Sequence, residues 1–157
     1  MKLEFKVENN KYFNVKEILK NHFELSERLL AKLKRKQKIY LNNIPTYVSK
    51  PVSIDDLITV DLDFEEETEN IVPSEIPLDI LYEDEAFLIV NKPFGIPVHP
   101  SILHFEDSLS NGIKHYFDAQ KIYKKIRPVN RLDKDTSGIV VFAKNEYIQE
   151  CLIKQMS

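Results

Sequence analysis

Cysteine is nearly absent: Cys151 is the single cysteine among 157 residues. That excludes an intramolecular disulfide framework and any cysteine-rich zinc site, and it fits a reducing compartment. Glycine is scarce too, with 3 residues against 8 prolines, which excludes collagen-like and Gly/Pro-rich disordered chains. Long apolar runs are missing. A stretch such as Ala86 to Val90 is strand-sized, far short of the roughly 18 residues a membrane span needs. Glu4 and Glu8 stand where a secretory signal would carry its apolar stretch, so the expected location is the cytoplasm. His22, His99, His104 and His115 are too scattered for a metal motif. Neither a glycine-rich phosphate loop nor a nucleophile elbow is present. With 43 % hydrophobic residues, the chain can build one ordinary domain, or a small domain and part of another.

Basic charge is absent from one block. Residues 51–91 carry 13 Asp and Glu and no Lys or Arg. Residues 1–50 carry 12 Lys and Arg against 5 acids, and residues 92–157 carry 10 against 7. The net charge of −3 conceals this alternation. Blocks of opposite sign imply a modular chain: a basic module over 1–63, an acidic linker over 64–75, and a second module over 76–157. Pro73, Pro77 and the run Glu65-Glu66-Glu67 make the linker read as a flexible tether.

In the basic module, apolar residues at 15, 18, 19 and 23 predict a helix over Val15 to Phe23. A second helix starts at the N-cap Ser26 and runs through ERLLAKLKRKQ. Leu29, Leu30 and Leu33 form its apolar face. Arg28, Lys32 and Arg35 fall on one flank, and Lys34 and Lys36 add charge around its end. Such a cluster is either a solvated face or a phosphate-binding one, the latter salt-sensitive and sequence-tolerant. Strands are expected over 38–41, 44–48 and 57–62, with Asn42-Asn43 as a tight hairpin turn.

The order helix, Ser26-Glu27-Arg28, basic helix, Lys38-Ile39-Tyr40-Leu41-Asn42, Val52-x-x-Asp55-Asp56-Leu57-Ile58 resembles the alpha-L RNA-binding fold, first known from a small-subunit ribosomal protein. That family usually has Asn-Gly where this chain has Asn42-Asn43, and Gly-Asp where it has Asp55-Asp56. The clustering on one helical flank shifts the balance toward phosphate binding, so RNA contact is expected through Arg28, Lys32, Lys34, Arg35 and Lys36.

In the second module, strands are expected over 78–82, 86–91 and 139–143. Helices are expected over 107–117, capped by Asp107 or Ser108, and from Asn145 onward. Gly95 and Gly138 close irregular loops beside apolar strands, the kind of loop on which sites are built. Arg131 and Asp133 flank Leu132, so in an extended segment both point to one side. They are a reactive pair, or else Asp-Lys-Asp-Thr-Ser-Gly is a turn whose Asp side chains bond to the backbone.

ILYEDEAFLIVNKPFGIPVHPS, followed about 30 residues later by RPVNRLDKDTSGIVVFAKN, resembles the RluA/RluD-type pseudouridine synthases. An alpha-L module ahead of it is the arrangement of the members acting on large-subunit ribosomal RNA. The resemblance implies isomerisation of uridine to pseudouridine, an RNA-modifying step in ribosome biogenesis. The N1–C1′ bond breaks and C5 bonds to C1′ on a flipped-out nucleotide. It places the catalytic aspartate at Asp133 and the RNA-entering arginine at Arg131, and it requires no cofactor and no metal. Asp133 suits either a nucleophile at C1′ or a base at the sugar. Many members have His where this chain has Asn130. The family's stacking tyrosine and its basic partner of the aspartate have no match before Ser157.

The expected fold class is therefore α+β: a two-helix, antiparallel-sheet RNA-binding domain, then the first part of a mixed-sheet catalytic domain. The chain is expected to be an N-terminal fragment, inactive alone, that exposes apolar surface and associates through its incomplete catalytic domain. A non-catalytic RNA-binding module is the alternative. The expected partner is RNA, ribosomal RNA foremost, with no membrane.

Overall fold

Leu3, Phe5 and Val7 alternate with charged residues at the start of the chain. In the computed structural model, which describes residues 1–67 and 69–157, Leu3 and Phe5 lie in strand β1 (Lys2–Lys6) and Val7 follows it; this strand is not among the elements expected from the sequence. The chain divides into two units, Met1–Phe64 and Glu65–Ser157.

The first unit carries an antiparallel sheet of order β1-β4-β2-β3, with β2 at Ile39–Leu41, β3 at Ile44–Pro45 and β4 at Leu57–Asp61. Ile58 and Val60 of β4 are fully buried. The expected first helix is only partly regular. α1 (Val15–Glu17), capped by Asn14, passes into a widened turn over Ile18–His22, where Phe23 N donates to Ile18 O five residues back. The widening lets Phe23 and Leu25 bury alongside Ile18 and Leu19.

α2 (Glu27–Arg35) starts where Ser26 Oγ accepts Leu29 N and buries Leu29, Leu30 and Leu33. β3 ends at Pro45, which has no N–H for the ladder, rather than at Val48. Asn42 and Asn43 take φ of +51° and +66°, and Asp55 takes +78°. Asn and Asp tolerate this left-handed region, so the two turns form without the glycines usual in the alpha-L pattern. Asn42 secures them, accepting from Leu57 N at 2.8 Å and donating to Asp56 Oδ1 at 3.0 Å.

The second unit holds β5 (Asp79–Glu83), β6 (Phe87–Lys92), β7 (Arg127–Pro128) and β8 (Gly138–Ala143) in the order β5-β6-β8-β7. Every pairing is antiparallel, which corrects the mixed sheet expected from sequence. β5–β6 and β7–β8 are hairpin-like, and their short connections permit no parallel pairing; β6 and β8, joined through α3 and β7, pair antiparallel as well. α3 (Leu109–Ala119) is capped by Ser108 in a reciprocal box with Asn111. Its Leu109, Ile113 and Phe117 share a core with Leu88, Val90, Val140 and Phe142. α4 (Glu146–Met156) starts at the cap Asn145. Glu83 accepts from Tyr116 Oη at 2.5 Å and Lys144 Nζ at 2.7 Å, linking β5 to α3 and to the end of β8.

The acidic segment is not a free tether. Glu66 accepts from Arg127 through both carboxylate oxygens at 2.5 Å, the two side chains being 5 % and 7 % exposed. Glu69 accepts from Ile126 N, Ile71 enters the core, and Val72 O accepts from Asn111 Nδ2. The segment expected to be a flexible tether thus supplies the counter-charge for a buried arginine. Thr68 lies outside the described residues.

Candidate active site

Inward-facing positions of β6 run Leu88, Val90, Lys92, all fully buried. A lysine ends an apolar row, and its ammonium must find acceptors. Lys92 Nζ donates to Pro93 O at 3.0 Å, Ile96 O at 2.6 Å and Lys134 O at 3.0 Å. The first two acceptors belong to the Pro-Phe-Gly-Ile-Pro loop after β6. The third belongs to the loop between β7 and β8, one residue past Asp133. Gly95 N, from a backbone at φ +97°, donates to the same Lys134 O at 3.0 Å. Lys92 is therefore the peg that joins the two loops. Burial pushes its ammonium below the ordinary value, opposed by the carboxylate of Asp135.

Asp133 and Arg131 sit on the second loop, both exposed, on either side of half-buried Leu132. Leu132 packs against the core, which fixes the segment and leaves its charged neighbours in solvent. Thr136 N donates to Asp133 O at 3.0 Å and closes the turn. At Gly138, φ is +146° and a Cβ would lie 3.2 Å from Leu132 Cδ1, so a side chain there would press on the anchor. Asn130 holds the loop to β8: its Nδ2 donates to Ile139 O and its Oδ1 accepts from Val141 N, each at 2.9 Å. At the position where the resemblance implies His, this residue is committed to backbone bonds. Arg127, at the head of the loop, is the residue paired with Glu66.

This arrangement presents a carboxylate and a guanidinium on a braced, open loop. It suits a substrate too large to enter a closed cavity. Phe94, 70 % exposed on the adjoining loop, and Ile139, 56 % exposed on β8, add apolar surface. Among the described residues, no three His, Cys, Asp or Glu side chains converge as a metal site requires. Among the described residues, no helix is long and apolar enough to cross a membrane.

The other sequence-predicted residues lie in the first unit. Arg28, Lys34, Arg35 and Lys36 are exposed on or just after α2, while Lys32 is half-buried. Lys36 Nζ stands 5.3 Å from the centre of the Phe64 ring. Pattern reading missed Lys92 and the Glu66–Arg127 pair. The first carried a signal, a lysine in phase with the buried row of β6. The pair, 61 positions apart in sequence, carried none.

Residues 86–157 match the family model described as RNA pseudouridylate synthase. The chain is 37 % identical over 154 residues to the ribosomal large subunit pseudouridine synthase D of Borreliella burgdorferi, covering 92 % of this chain and 47 % of that protein. It is 34 % identical over 139 residues to the uncharacterized RNA pseudouridine synthase YhcT of Bacillus subtilis, covering 88 % and 46 %. Among solved structures, human RNA pseudouridylate synthase domain containing 4 aligns at 23 % identity and a TM-score of 0.41, over 50 % of this chain and 29 % of that one. The chain spans about half the length of the curated relatives it matches.

Proposed function

We propose, from the match of residues 86–157 to the family model described as RNA pseudouridylate synthase, that the protein isomerises uridine to pseudouridine in RNA, its substrate being large-subunit ribosomal RNA. The observation that carries the reading is Asp133, an exposed carboxylate on a loop that Lys92, Leu132 and Asn130 hold in place. In the reaction the N1–C1′ bond breaks, the uracil turns, and C5 bonds to C1′. C5 gives up its proton and N1 gains one, so the product is an isomer. Asp133 acts on the sugar as nucleophile or base. Arg131 enters the RNA beside the extruded nucleotide. Exposure of both fits this role, since the target base must leave its stack to reach the carboxylate.

The first unit acts as an alpha-L RNA-binding domain. Its basic α2 contacts phosphates through Arg28, Lys32, Lys34, Arg35 and Lys36, which gives affinity without base specificity. The likeness to the Borreliella burgdorferi synthase supports the choice of ribosomal RNA.

The test uses a version spanning the full length of its relatives, with ribosomal RNA tritiated at uridine C5. Asp133→Asn is expected to abolish tritium release while leaving RNA affinity within about twofold, because the exposed carboxylate contributes chemistry rather than binding. Tritium release at the wild-type rate would remove Asp133 from the reaction.

A further inference from the structure

A groove in the first unit stands apart from the Arg28, Lys32 and Arg35 flank of α2. It lies between the end of α2 and the segment that leaves the β2–β3 hairpin, and it encloses about 480 Å³. That is within the roughly 300–1,000 Å³ in which proteins hold small organic groups. Exposed Pro45 gives it an apolar surface over the buried Leu33 and Ile39, and the α2 side adds Lys34 and Gln37. The hairpin side adds Tyr47, a residue 83 % exposed.

The backbone that carries this ring is fixed. Thr46 N donates to Ile39 O at 3.1 Å, Lys16 N to Val48 O at 2.8 Å, and Lys50 N to Tyr47 O at 3.2 Å. An exposed aromatic side chain is thus carried on a hydrogen-bonded backbone beside an apolar cleft and a lysine, in a unit whose first 50 residues carry 12 basic against 5 acidic side chains.

We propose that this groove takes one unstacked base of a single-stranded RNA segment. The base stacks on Tyr47, its edge meets the Gln37 amide, and the neighbouring phosphate meets Lys34. Charge decides the class of occupant: a basic surface draws a polyanion, and a nucleotide joins a flat apolar face to a negative charge. A backbone already held by hydrogen bonds needs little ordering on binding, which favours affinity. The proposal rests on the reading that the first unit binds RNA, and it specifies a single strand in addition to phosphate contacts.

The experiment measures binding of the 157-residue chain to a fluorescent single-stranded RNA 12-mer and to the duplex of the same sequence. Tyr47→Ala is expected to weaken single-strand binding about five- to a hundredfold, the range for loss of one stacked base. Duplex binding should stay within about twofold, and Tyr47→Phe should bind like wild type. Lys34→Ala should flatten the slope of log affinity against log salt by about 0.7 on the single strand. Tyr47 is exposed, so the alanine variant should keep its melting temperature, as surface substitutions do. Wild-type single-strand affinity in Tyr47→Ala, or an equal loss on the duplex, overturns the groove assignment alone. A wild-type chain that binds neither RNA overturns the RNA-binding reading of the first unit, and the groove with it.

Discussion

Replacing Lys92 by Met removes the ammonium and keeps most of the buried stem. Three carbonyl oxygens, at 3.0, 2.6 and 3.0 Å, then lose their donor. Hydrogen bonds to a charged group contribute about 1.5–3 kcal/mol each, so the three together set an upper bound of roughly 5–9 kcal/mol. Against that stands the desolvation of a fully buried cation, several kcal/mol, which the substitution relieves. The difference predicts a net loss of about 2–4 kcal/mol. For a unit of this size that corresponds to a fall in Tm of roughly 10–25 °C. Calorimetry of the 157-residue chain measures it. Hydrogen exchange locates it: the Gly95 amide, bonded to Lys134 O, and the Thr136 amide, bonded to Asp133 O, should lose protection first. The pH dependence provides a second readout. Burial holds the folded-state pKa of Lys92 below its ordinary 10.5, so between the two values the unfolded chain binds more protons and stability rises with pH. Lys92→Met should lack that rise. A variant within about 0.5 kcal/mol of wild type, with Gly95 still protected, would refute the idea that Lys92 joins the loops.

Other substitutions probe the same framework. Glu66→Gln leaves the Arg127 guanidinium buried without its carboxylate and should cost about 3–5 kcal/mol in urea unfolding; an unchanged midpoint would return the acidic segment to a tether. Tyr116, pushed up to about 12 by its hydrogen bond to Glu83, contributes stability that is complete below its ordinary value of 10.0 and lost as pH rises through about 12. Tyr116→Phe should therefore flatten the stability curve over that window. Burial raises the Glu83 carboxyl, but hydrogen bonds from Lys144 and Tyr116 outweigh it and hold the group below 4.5. Its contribution is thus present above that value and fades as pH falls through the folded-state value, a loss that Glu83→Gln should abolish. Gly138→Ala combines a left-handed backbone with a 3.2 Å contact on Leu132 and should cost about 1–3 kcal/mol, read by thermal unfolding.

Much of this molecule is determined locally and is therefore legible in the sequence. Ser26, Ser108 and Asn145 each cap a helix because a short polar side chain accepts a nearby backbone N–H. Asn42-Asn43 forms a hairpin turn because Asn tolerates positive φ. The in-and-out placement of Arg131-Leu132-Asp133 is legible too, because the apolar residue is drawn inward between two charged ones that remain in solvent.

Tertiary structure decided what depends on partners distant in sequence. Lys92 is a loop residue by pattern and a peg by structure, because one of its three acceptors lies 42 positions away. Glu66 is one acid among many until Arg127 is packed beside it, 61 positions on. The antiparallel order β5-β6-β8-β7 likewise follows from which strands meet. Caps, turns and alternation arise from interactions a few residues long, which sequence records directly. A buried charge must be matched by whatever the fold brings within hydrogen-bonding distance, and only the folded chain makes that selection.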